Sequence, residues 1–156
     1  MTNFYPYIIN IAVVLILFWM AFTDFTEYKI KNDVLLLLLV LFVLQFAASG
    51  RWHDIYVNGI FGLIVAAGLF YAYFQQQMGG GDFKLLAISF LWTGPRYAIP
   101  FVILLILFIG IHYVLAKLKW IEAKSTPFGL KIPLAPAVAS ALICVLVAMS
   151  VLPAST

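Results

Sequence analysis

The sequence predicts an all-α, polytopic membrane protein of about six transmembrane helices. Of its 156 residues, 65% are hydrophobic and 10% charged, with mean hydropathy +1.10. A soluble domain is about 45–50% apolar and about 25% charged. The apolar residues gather into six runs separated by short polar connections. Lipid offers no partner to an open strand edge, so such runs span as helices. At roughly 20 residues per span, residues 1–156 are expected to form one transmembrane domain with almost no soluble part.

The first run covers about 6–23. It has no Lys or Arg before it and no clear small-residue cleavage site, so it reads as a retained helix rather than a signal peptide. The second, about 34–49, follows Asn32-Asp33, either of which is a good helix cap. The third, about 55–75, carries Gly59, Gly62, Ala66 and Gly68, small residues that let helices approach closely. The fourth, about 83–94, is short for a span. It is expected to start at or before Asp82 and to stop at Gly94-Pro95. The fifth covers about 97–116. The sixth, about 134–152, opens with Pro133 and Pro136, which a first helical turn tolerates.

Orientation follows from the basic residues. With the N-terminus outside, the inside connections hold Lys29, Lys31, Lys84, Lys117, Lys119, Lys124 and Lys131, and the outside ones hold Arg51 and Arg96. Trp52, Trp92 and Trp120 fall near segment ends, as interfacial aromatics do. The formal charge of +3 is scattered over short loops, which gives no nucleic-acid signature. The basic loop 117–131 is suited to anionic lipid. The single cysteine, Cys144, excludes an internal disulfide and a cysteine-based zinc site. It reads as a small buried packing residue.

Two aspartates stand out. Asp24 ends the first run, and Asp82 ends the triplet Gly79-Gly80-Gly81 before the fourth. The lysine count puts both on the inner face. An ionisable residue at membrane depth points to a functional site. Two converging carboxylates hold one shared proton more cheaply than two charges. The ionised member can then take a proton from water while the protonated one serves the carbonyl or the leaving amine. That is aspartic peptide-bond hydrolysis, needing neither metal nor cofactor. The glycines are expected to open backbone conformations closed to other residues and to let an extended substrate approach.

The remaining acids read as ordinary. Glu27 is a loop residue close to Asp24, Asp33 a cap, Asp54 a solvated neighbour of Arg51 and His53, and Glu122 a lysine partner. His53 and His112 lack metal-ligand spacing. No Ser/His/Asp set, HExxH, P-loop or dinucleotide fingerprint occurs.

The stretch 24–32 (DFTEYKIKN), followed by 79–87 (GGGDFKLLA), resembles the type IV prepilin peptidases. These are GxGD-type intramembrane aspartic proteases, and the resemblance is strongest to the small peptidases of tight-adherence (Flp) pilus systems. It implies that Asp24 and Asp82 are the catalytic pair, with Gly79, Gly80, Gly81 and Lys84 as motif or substrate-facing residues. The segment 132–137 (IPLAPA) is similar to the Pro-rich start of the family's last helix. The implied substrate is a pilin-like precursor with a basic leader and an apolar helix, cut at the cytoplasmic face of a prokaryotic inner membrane. Lys31 stands where the family has proline. The paired CxxC motifs of the bifunctional members do not occur, which implies cleavage without N-methylation. The competing reading is a non-enzymatic, transporter-like or assembly subunit that uses the Asp pair to bind a proton or cation.

Overall fold

A computed structural model describes residues 5–27, 30–118, 124–126, 129–131 and 133–151. Among these are five helices and a short hairpin. The helices are α1 (Tyr5–Glu27), α2 (Asn32–Ala48), α3 (Trp52–Phe74), α4 (Gly80–Lys117) and α5 (Ala135–Val151). Strands β1 (Lys124–Thr126) and β2 (Gly129–Lys131) pair antiparallel within the expected inner loop. Lys29, Lys119, Trp120 and Glu122 lie outside the described residues.

Three helices are long and apolar enough to cross a membrane, Ile8–Glu27, Trp52–Phe74 and Gly80–Lys117. The apolar helices Asn32–Ala48 and Ala135–Ser150 are shorter. Large apolar side chains point outward along the bundle, among them Leu15, Phe18, Phe22, Ile60, Leu63 and Ile106. Lipid solvates such a surface without penalty, whereas water does not.

The two helices expected at 83–94 and 97–116 are a single 38-residue element broken only at Gly94. Straight, it would be about 57 Å long, nearly twice a hydrocarbon core of about 30 Å. It is not straight. The rings of Phe90 and Phe101 meet edge to face with centroids 5.2 Å apart, although eleven residues of straight helix advance about 16 Å. Gly94 has φ 59° and ψ −176°, a conformation almost confined to glycine. The Asn58 side chain packs where a Cβ of residue 94 would lie. Pro95 then begins the second limb, where a missing N–H is harmless.

The first limb of α4 runs antiparallel to α3. Phe61 faces Phe90 at 6.3 Å, Gly62 receives Leu91, and Phe70 and Tyr73 meet Phe83 at 6.0 and 5.8 Å. Of the small residues expected to admit a neighbouring helix, Gly62 does so, with Leu91 Cδ1 3.0 Å from its would-be Cβ. Gly59 and Gly68 face nothing within 4 Å.

The core lies between α1, α2, α4 and α5, around Leu17, Met20, Leu38, Phe42, Trp92, Phe101, Val138 and Leu142. Trp92 is the correction here. It is 2% exposed, not interfacial, with Nε1 donating to the Leu38 carbonyl at 3.2 Å and its ring edge-on to Phe42. A buried indole is stable where its N–H finds an acceptor. Trp52 is exposed, as expected. Gln45 Nε2 donates to Asn10 Oδ1 at 3.3 Å, a polar link between α1 and α2. Cys144 faces outward rather than into the core.

Candidate active site

The C-termini of α1 and α3 and the N-termini of α2, α4 and α5 meet at one end of the bundle. Ile30, just before α2, packs on Gly81 at the start of α4. Lys84 Nζ donates to Asn32 Oδ1 at 2.9 Å. Tyr73, near the end of α3, covers Gly80. The start of α5 reaches the end of α1 through Asp24.

Asp24 lies in the last turn of α1 and is 5% exposed. Its Oδ2 accepts the backbone N–H of Ala135 at 3.1 Å. Ala135 is the first residue of α5, so the carboxylate sits at a helix N-terminus, where unpaired N–H groups and the helix dipole face an anion. Ala135 and the flanking Pro133 and Pro136 are buried. Neither proline has an N–H to offer; of Leu134 and Ala135 between them, Ala135 directs its N–H to Asp24. The hydroxyl of the neighbouring Thr23 donates back to the Met20 carbonyl at 3.0 Å.

Asp82 lies in the first turn of α4 and is half-buried. Its carboxylate bends back over Gly79, with Oδ2 3.0 Å from where a Cβ of residue 79 would stand. This corrects one expected role of the glycines, the opening of backbone conformations closed to other residues. Gly79 has φ −70° and ψ 149°, extended backbone open to any residue, and Gly80 and Gly81 are helical. What the triplet provides is space. Asp82 lies against Gly79, and a Cβ at residue 80 or 81 would stand 3.4 Å from the Tyr73 ring or 3.2 Å from Ile30 Cβ. The left-handed turn residue is Gln76, with φ 59°, after α3.

Lys84 is exposed and bound to Asn32. The expected caps of α2 are not made. The N-cap position is Lys31, without a side-chain hydrogen bond, and Asn32 and Asp33 fall in the first turn. Asn32 instead binds Lys84. Asn32, Ile30 and Ala135 are therefore site-end residues to which sequence reasoning assigned other roles or none. Asp54 pairs with Arg51 at 3.1 Å at the other end of the bundle, where the two surround a cavity of about 240 Å³ with Asn58, Thr93, Arg96 and Met149. Among the described residues no group of three His, Cys, Asp or Glu side chains is placed to hold a metal.

Residues 11–115, more than half of the chain, match the type IV leader peptidase family. The chain belongs to that family. The matched stretch contains Asp24, Asn32, the glycine triplet, Asp82 and Lys84. A leader peptidase-type protease is therefore the class of protein to which this site end belongs. Neither a comparison with curated proteins nor one with solved structures finds a match.

Proposed function

We propose that Asp24 and Asp82 are the catalytic dyad of this leader peptidase. The dyad would remove the leader of a type IV prepilin or pilin-like precursor. The observation that carries the reading is the convergence of the two aspartate-bearing segments at one end of the bundle. They are tied by Lys84 to Asn32 and by Ile30 to Gly81, with Asp24 buried there against α5. One carboxylate takes a proton from water, whose oxygen attacks the scissile carbonyl carbon. The other, protonated, hydrogen-bonds the carbonyl oxygen. On collapse the C–N bond breaks and the departing nitrogen takes a proton from the dyad. The chemistry proposed is hydrolysis, without methylation of the new N-terminus. Family membership supports this over the non-enzymatic carrier or assembly reading.

The same reading places the chain in a prokaryotic inner membrane as one peptidase domain with six spans, counting the two limbs of α4 separately. The N-terminus is outside and the dyad at the cytoplasmic face. The distribution of lysine and arginine supports this, as does the meeting of Arg51 and Arg96 around one cavity at the end away from Asp24.

The test is D24N and D82N, each purified in detergent with a prepilin-like precursor and read by product mass. Both variants keep side-chain shape and are expected to insert normally and to lose cleavage by at least about 10³-fold, the scale on which catalytic groups acting as a unit fail. Normal processing by either refutes the dyad.

A further inference from the structure

We propose that Lys84 and Asn32 are a pair of positioning residues, a clasp that sets the segment carrying Asp24 against the segment carrying Asp82. The inference rests on the dyad reading above and adds to it. The clasp is the 2.9 Å hydrogen bond from Lys84 Nζ to Asn32 Oδ1, between residues 52 apart in the chain. Three further observations give it direction.

First, Lys84 follows Asp82 by two positions on α4. Residues i and i+2 of a helix point about 160° apart, so Lys84 reaches α2 from a different face than the one Asp82 uses. It acts on Asp82 through the helix. Second, Asn32 stands in the first turn of α2, and α2 has no side-chain N-cap bond. The amide of a good capping residue is engaged in a contact between helices instead of within its own. Third, Ile30 lies against Gly81, its Cβ 3.2 Å from where a Cβ of residue 81 would stand, so the α1–α2 connection approaches α4 on both sides of Asp82. Lys84 and Asn32 border the same groove of about 450 Å³, together with Asp33, Leu36, Phe83 and Ala87.

The expected signature is in turnover rather than in binding. K84M and N32A each lower kcat about 10-fold, because displacing catalytic groups by a fraction of an ångström has effects of this order, and change KM less than threefold. The double variant is no worse than either single one, since each removes the same contact. N32D keeps an acceptor for the ammonium and recovers most of the rate lost in N32A. The assay uses the full chain in detergent, at equal amounts of folded protein, with a prepilin-like precursor. A raised KM with unchanged kcat would make Lys84 a substrate contact and overturn the clasp, as would additive losses or wild-type turnover in K84M. D24N and D82N are run alongside. If they still cleave, the dyad fails. If they are inactive while K84M is normal, only the clasp fails.

A second readout needs no substrate. Nitroxide labels at the exposed Thr26 and Gln77, with Cys144 replaced by serine, report the spacing of the two segments. The clasp predicts a narrow distance distribution that broadens in K84M. An unchanged distribution overturns it.

Discussion

The glycine triplet offers a graded test of how the site end is built. Gly79→Ala, Gly80→Ala and Gly81→Ala each add one methyl, and the three methyls meet different neighbours. At Gly79 the backbone already suits alanine, so the new Cβ acts through Asp82 Oδ2, 3.0 Å away. The carboxylate must retreat by a few tenths of an ångström. A 1 Å misplacement can lower a rate about 10²-fold, so a retreat of that size corresponds to about 10-fold in kcat. Losing glycine at an N-cap costs about 0.5–1 kcal/mol. At Gly80 the methyl touches the Tyr73 ring at an ordinary 3.4 Å. Turnover should stay within about twofold, while the helix gains up to about 1 kcal/mol from the entropy glycine no longer loses. At Gly81 the neighbour is Ile30 Cβ at 3.2 Å, an atom tied to its backbone, so the α1–α2 connection itself must shift. A loss of about fivefold is expected there. Steady-state cleavage of a prepilin-like precursor, paired with detergent unfolding of each variant, separates rate from stability. The order of lost turnover should be G79A, then G81A, then G80A. If G80A is as damaging as G79A, or G79A turns over like the wild type, the space-filling account is wrong.

Two further expectations concern the scaffold. Gly94→Ala should destabilise the protein by about 2–4 kcal/mol, combining a backbone conformation that costs a side chain about 1–3 kcal/mol with overlap on Asn58. N58G/G94A should recover only the overlap, and the measurement is unfolding in mixed micelles followed by far-ultraviolet circular dichroism. W92F removes the indole donor to Leu38 and should cost about 1 kcal/mol. W92A empties the space beside Phe42 and should cost about 3–5 kcal/mol in the same assay. Equal effects of the two would mean that packing at residue 92 contributes little.

The helices were legible in sequence because hydropathy along a chain in lipid is a local property. The six apolar runs coincide with α1, α2, α3, the two limbs of α4 and α5. Gly94-Pro95 was readable as a stop, since those residues disfavour helix whatever surrounds them. That the stop is a sharp bend inside one element depends on Asn58 and on the facing of Phe90 and Phe101. The burial of Trp92 and the exposure of Cys144 were misread for one reason. Which face of an apolar helix turns inward is weakly marked when both faces are apolar, because lipid accepts what the core accepts.

By itself the sequence determined the helical class, the two aspartates at helix ends and, through their motifs, the family. Each of these follows from residue type and spacing within a few turns. Only the tertiary structure decided what surrounds the aspartates. Asp24 accepts an N–H from a residue 111 positions away, and Lys84 finds Asn32 across 52. The glycines provide room for neighbours rather than unusual backbone conformations. Neighbours brought in by other helices leave no trace in the local pattern, so the packing had to supply them.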